Sequence, residues 1–206
     1  MKISKLDFAY LALPLLLWPL SFIVLQSVFI YALAASTAIL AALSLLFYRK
    51  RIVWVRGDKK RAAVAFGAAV ALVLYLVFVA GGAASSALGI GSYVSSVYAS
   101  IYGSQGRGIS TIVLLAVIGV FEEIYWRGGL QGYAAGTQRF ATMPWIASAA
   151  YYTLVHVSTL NPILVVAAFF VGIFTGFVAH KAGILASMVT HIIWIEAIVV
   201  FFPVIV

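Results

Sequence analysis

Three of the five acidic residues in this 206-residue chain, Glu122, Glu123 and Glu196, lie inside long apolar stretches, and His156 and His191 do the same. An uncompensated charge at the centre of a bilayer costs ~2.5 to 3.5 kcal/mol even on the lenient scale, so such residues need a reason to be there. Glu123 and Arg127 stand at i and i+4 with the acid N-terminal, the favoured order for a helical ion pair, so Arg127 is expected to neutralise Glu123. Glu122 sits about 100° further round the helix with no cation at i+4, which leaves it as the acid available for chemistry. Counting ~1.5 Å per residue from the centre of each stretch puts Glu122, His156 and His191 within about 5 Å of the midplane. A carboxylate and two imidazoles from three helices at one depth can activate a water, shuttle a proton and steady an oxyanion. The same set also suits a proton relay, and each group can instead be satisfied separately by backbone carbonyls and hydroxyls.

Around these residues, Tyr152 shares a helical face with His156 at i and i+4, either as part of the site or as the cap of a core histidine. Glu196 is five residues beyond His191 and is expected to point elsewhere, while His180, just before Lys181, reads as an interface residue. No cofactor is expected. Zinc stays open as an alternative, because helices can assemble two His and a Glu without a local H-E-x-x-H signature. Neither a G-x-S-x-G elbow nor a Walker loop occurs, which removes the familiar serine-hydrolase and nucleotidase signals.

The elements that must position these side chains are membrane helices. The chain is 65% hydrophobic and 9% charged, against roughly 25% charged residues in soluble domains. Together with a mean hydropathy of +1.15, this excludes a soluble fold. The absence of cysteine excludes a disulfide scaffold, thiol catalysis and Cys-based zinc sites. The net charge of +8 reflects 13 Lys and Arg against 5 Asp and Glu. Because its cations cluster in the stretch RKRIVWVRGDKKR at 49–61, it reads as a topology signal, and no nucleic-acid partner is expected.

The fold class that follows is all-α, a polytopic membrane helical bundle of about seven transmembrane helices. Residues 8–47 are predicted to form two spans turning near Gln26 and Ser27, and further spans are predicted at 62–82, 110–130, 143–162, 163–179 and 183–203. Between the third and fourth, Ile90, Tyr93, Val94, Val97, Tyr98, Ile101 and Tyr102 recur at helical spacing opposite Ser92, Ser95, Ser96 and Ser100. This predicts an interfacial helix near 84–103, with an eighth span as the alternative. The interfacial reading puts Lys2, Lys5, the 49–61 loop, Arg139 and Lys181 on the cytoplasmic side and leaves only Arg107 clearly outside. The chain reads as one membrane domain, 1–206, with a three-helix N-terminal part at 1–82 and a motif-bearing core at 110–203. No cleavable signal peptide is expected. Arg127 and Arg139, at the inner end of the fourth span, favour access to the site from the cytoplasmic side.

The motifs themselves carry a resemblance. FEEIYWRG at 121–128 resembles the E-E-x-x-x-R motif of the CAAX prenyl endopeptidase and bacteriocin-processing (CPBP, or Abi) membrane proteins, the family of the Ras-converting CAAX endopeptidase. YTLVH at 152–156 is similar to its F-x-x-x-H, with Tyr for Phe, and HIIWI at 191–195 to its H-x-x-x-N. The similarity covers about 110–200. It implies a glutamic intramembrane endopeptidase in which Glu122 and His156 activate water, His191 stabilises the oxyanion, and Glu123, Arg127 and Tyr152 support them. Ile195 stands where the Asn is expected and has no donor; loss of one such donor can cost ~10² to 10³ in rate. Ser187 and Thr190 are the nearest hydroxyls that could substitute, and Asn161 is the one asparagine in the chain.

The implied partners are a membrane-associated peptide or prenylated protein substrate and the lipid bilayer; the sequence is silent on oligomeric state. The location is an integral multi-pass one, the cell membrane for a prokaryotic source and the endoplasmic reticulum for a eukaryotic one. A non-catalytic immunity or interaction protein of the same fold, for which Ile195 argues, and a proton-coupled carrier are the alternatives. The lack of inverted repeats counts against the carrier.

Overall fold

The computed structural model describes residues 4–57, 59–106 and 108–204, which places Lys2 and Arg107 of the charge-based topology outside the described residues. Ser4 caps the first helix, α1 (Lys5–Pro19), through a reciprocal capping box with Asp7. Pro14 and Pro19 remove ladder donors within α1, and the helix widens into a π segment at Leu20–Val24 before turning. The chain returns as α2 (Phe29–Phe47), so 8–47 does fold as two spans with the turn near Gln26. Then come α3 (Lys60–Ala87), α4 (Gly91–Gln105) and α5 (Ile109–Glu123), the last continued by a π segment at Ile124–Leu130 and by α6 (Gln131–Ala135). Finally α7 (Pro144–His156), α8 (Pro162–Ala182) and α9 (Ile184–Glu196) complete an all-α bundle without strands among the described residues.

The basic loop marks one end of this bundle. Ile184 and Leu185 donate their backbone N–H groups to Val53 and Trp54 carbonyls at 2.9 and 3.0 Å, which pins the α8–α9 turn beneath the loop. Gly183 makes that turn with φ of +91°, a conformation a side chain would strain, and a Cβ there would meet the Trp54 backbone. Arg51 reaches the Tyr133 carbonyl, so α6 ends at the same end. The opposite, far end carries α4. There Gln26 contacts Ser100 at 3.5 Å and Asn161 donates to the Tyr93 carbonyl at 3.0 Å. Tyr93 and Ser100 of α4 thus both lie at the far end, α5 starts from there and descends to the basic end, and the helix expected near 84–103 is α4 at Gly91–Gln105, residues 84–87 being the last turn of α3.

Among the described residues, six helices are long and apolar enough to cross a bilayer. The window 143–162 differs from expectation. It holds only the 13-residue α7 and a 3₁₀ turn at Val157–Thr159, although α7 does run from the basic end to the far end beside α8. The reason is local: Asn161 caps α8 and Pro162 occupies its first turn, and a residue preceding proline is pushed out of helical conformation. Because α7 stops short, its last helical residue, His156, ends inside the bundle rather than at its surface.

Candidate active site

Glu122 and Glu123 are the last residues of α5, where the backbone passes from α to π geometry, and all seven residues of that π segment are buried. A π turn adds a residue to the helical repeat and re-aims the side chains around it, a feature often found at functional sites. The bulge is held against α1 and α2 by close approach: a Cβ on Gly129 would collide with the Tyr10 hydroxyl and the Ser44 side chain.

The two carboxylates have different partners. Glu123 is fully buried, with Arg127 Nε 3.5 Å from Oε2 and His191 Nδ1 2.9 Å from Oε1. Arg127 is itself fixed from two other helices, donating to Thr175 of α8 at 2.8 Å and to Ser148 of α7 at 3.1 Å. Ser148 in turn donates to the Trp126 carbonyl at 2.8 Å. Glu122 faces the other way and accepts the Tyr152 hydroxyl at Oε2, at 2.9 Å. A buried carboxylate with one hydrogen-bonded oxygen keeps its second oxygen for a ligand.

The histidines also differ. Trp18 Nε1 lies 3.1 Å from His156 Nε2, and an indole N–H can only donate. The lone pair must then be on Nε2 and the proton on Nδ1, which gives it to the Tyr152 carbonyl at 2.8 Å. Both nitrogens of His156 are thus engaged. In His191 only Nδ1 is committed, to Glu123, and Nε2 is the nitrogen left to act, as acceptor in the neutral ring or donor in the imidazolium.

Glu122, Tyr152, His156 and His191 together line one chamber of about 180 Å³, whose remaining walls are almost wholly apolar. Ile195 is in that wall, and so is Trp194, whose Nε1 has no hydrogen-bond partner among the described residues. Ser187 and Thr190 are not in it. Ser187 donates to the Ile184 carbonyl and Thr190 contacts the carbonyls of Gly67 and Ala186, both at full burial, so neither stands in for the missing asparagine. Asn161 is occupied at the far end as the cap of α8. Glu196 is buried without a hydrogen-bond partner among the described residues and does not line the chamber. His180 is half-buried in the last turn of α8, at the basic end.

Arg127 is not part of the chamber but lies behind Glu123, and it lines a separate cavity of about 390 Å³ at the basic end with Arg51, Arg56 and Gln131. The chamber extends instead toward α4, whose Val94, Val97, Tyr98 and Ile101 roof it at the far end. Sequence reasoning missed Trp18, Ser148, Thr175 and Trp194, because an isolated Trp, Ser or Thr in an apolar span shows no spacing signal. Among the described residues no group of three or more His, Cys, Asp and Glu is arranged to hold a metal ion.

Residues 105–195 match the family model described as type II CAAX prenyl endopeptidase, Rce1-like. No curated protein and no solved structure matches the chain.

Proposed function

We propose, from the match of residues 105–195 to the family model of Rce1-like type II CAAX prenyl endopeptidases, that this multi-pass membrane protein is an intramembrane glutamic endopeptidase acting on membrane-associated, including prenylated, polypeptides. The observation that carries the reading is the shared chamber: a carboxylate with one oxygen held by Tyr152 and a histidine with one nitrogen held by Glu123 face the same small, apolar space.

Glu122 takes a proton from a chamber water, and the hydroxide adds to the scissile carbonyl carbon. His191, as the imidazolium, donates Nε2–H to the developing oxyanion, while Glu123 and Arg127 hold its ring in place. The tetrahedral intermediate then collapses: the C–N bond breaks and the proton held by Glu122 passes to the leaving amine. The unpartnered Trp194 Nε1–H is the donor that takes over where Ile195 has none. His156 joins the proton transfers once Trp18 releases Nε2.

The test is cleavage of prenylated and unprenylated membrane peptides by the purified protein in lipid, with Glu122→Ala and a zinc chelator as controls. Cleavage lost in Glu122→Ala and retained with chelator supports the reading; loss with chelator moves it to a metal site. A second reading, a non-catalytic protein of the same fold, is favoured by two specific features, the isoleucine at 195 and the full engagement of His156. It predicts no cleavage of any peptide.

A further inference from the structure

The cavity at the basic end differs from the chamber in its chemistry. Arg51, Arg56, Arg127 and Gln131 supply its polar lining, and no acidic residue among the described residues joins them. Its mouth is exposed at Arg56, Ala135 and Gly136, and its floor is buried at Arg127, Gln131 and Ala179. Two glycines of α6 leave room for Arg51: a Cβ on Gly132 would stand 2.8 Å from its carbonyl oxygen, and one on Gly136 would stand 2.6 Å from its Nη1.

The floor holds one donor and one acceptor without partners. Arg127 spends Nε and Nη1 on Thr175 and Ser148, with Glu123 beside Nε, but its Nη2 has no hydrogen-bond partner among the described residues. Gln131 gives Nε2–H to the Gly176 carbonyl at 3.1 Å, which fixes the orientation of the amide and leaves the acceptor Oε1 unpartnered as well. Both side chains are more than nine-tenths buried. Buried polar groups are costly to leave unpaired, so the cavity suits a ligand that accepts from arginine and donates to an amide oxygen at once. Several guanidiniums on one space select a phosphate as the acceptor. The donor to Gln131 is then a hydroxyl, because an ammonium is repelled by the three guanidiniums that share the cavity.

The surroundings point to the source of such a ligand. Trp145, next to the lining residue Pro144, meets Phe177 edge to face at 5.7 Å, and Lys181 lies 5.6 Å over the Phe177 ring. Phe140, Met143 and Phe177 are exposed nearby in the chain. Aromatic rings among cations mark the headgroup level of a bilayer, here at the end that the positive-inside rule assigns to the cytoplasm. Basic pockets between transmembrane helices at that level suit anionic headgroups.

We propose that this cavity binds the headgroup of an anionic phospholipid that carries a free hydroxyl beside its phosphodiester, as phosphatidylglycerol does. The phosphate oxygens accept from Arg51, Arg56 and Nη2 of Arg127, and the hydroxyl donates to Oε1 of Gln131. Arg127 then serves the lipid through Nη2 and Glu123 through Nε, so the headgroup joins the network that holds His191. The site is independent of whether the chamber cleaves peptides.

Native mass spectrometry of the full-length protein in detergent tests this, with phosphatidylglycerol, phosphatidylmethanol, phosphatidylcholine and inorganic phosphate titrated separately. A single phosphatidylglycerol is expected to bind at least ~10-fold more tightly than phosphatidylcholine, the worth of a charge-assisted hydrogen bond. Phosphatidylmethanol, which has the phosphodiester without the hydroxyl, is expected in between. Arg56→Gln, at an exposed position, is expected to weaken phosphatidylglycerol roughly 5-fold, the usual worth of one cation near an anionic surface. Lys60→Gln removes the same charge outside the cavity and is expected to leave the affinity unchanged. Gln131→Met is expected to erase the preference for phosphatidylglycerol over phosphatidylmethanol. Equal weakening by Arg56→Gln and Lys60→Gln reduces the binding to diffuse charge and overturns the site. Inorganic phosphate binding as tightly as phosphatidylglycerol overturns the lipid as the source, and wild-type binding of both phosphodiesters with equal affinity overturns the role of Gln131.

Discussion

Trp18 donates its indole N–H to Nε2 of His156 at 3.1 Å, tying the first membrane span, which lies outside the segment 105–195 that matches the family model, to the histidine of the second motif. Trp18 is fully buried, its ring meeting that of Trp126 edge-on at 5.6 Å, so the donor is held in place by packing. Trp18→Phe keeps most of that packing and deletes the donor. Nitrogen-15 spectra of the labelled histidines, with half-buried His180 as internal reference, are expected to show His156 as the Nδ1–H tautomer in the wild type and as a tautomer mixture in Trp18→Phe. An unchanged pattern in the variant would mean that the backbone carbonyl of Tyr152 alone sets the tautomer.

Tyr152→Phe removes the hydrogen bond that Tyr152 gives to Glu122 and leaves the ring contacts, including the 4.4 Å approach to His156. A hydrogen bond to a charged group is worth about 1.5 to 3 kcal/mol, so kcat is expected to fall roughly 10- to 100-fold with little change in KM. Steady-state kinetics on one cleaved peptide checks the split. A change confined to KM contradicts the placement of Tyr152 beside the base.

Arg127 is the counter-charge of a fully buried carboxylate. Arg127→Met leaves Glu123 with His191 as its remaining charged partner and is expected to lower stability by about 3 kcal/mol, the lower end of the usual cost of breaking a buried pair from one side. Unfolding in lipid by denaturant titration measures this, and the double variant Arg127→Met with Glu123→Gln is expected to recover part of the loss. No recovery in the double variant contradicts charge compensation as the role of the pair.

Ile195→Asn puts a donor into the chamber wall where the family motif has one, next to the orphaned indole of Trp194. With Trp194 as the working donor, Trp194→Phe is expected to cost ~10² to 10³ in rate, and Ile195→Asn to restore part of it in the double variant. Cleavage rates of the four proteins form the cycle. Equal rates for wild type and Trp194→Phe exclude the indole from oxyanion stabilisation.

Much of the fold was readable because bilayer physics writes it in long repeats: apolar length, one basic loop and the serine-striped face of α4 each follow from what hydrocarbon and interface tolerate. The early stop of α7 was less visible, since Asn161 and Pro162 end a helix through local conformation inside a stretch that hydropathy treats as continuous. At the site, Glu123 and Arg127 meet along one helix turn, a relationship that spacing reveals. The bond from Glu123 to His191, the hold of Tyr152 on Glu122 and the donation from Trp18 to His156 join residues 68, 30 and 138 positions apart, and no periodicity announces them.

The central claim is that Glu122 activates the attacking water. It is tested most directly by cleaving one peptide in H₂¹⁸O with wild type and Glu122→Gln, reading the product by mass spectrometry. The account predicts one ¹⁸O in the new carboxylate from the wild type and a rate at least ~10²-fold lower in Glu122→Gln, the lower bound for loss of a general base. Cleavage by Glu122→Gln at the wild-type rate would contradict it.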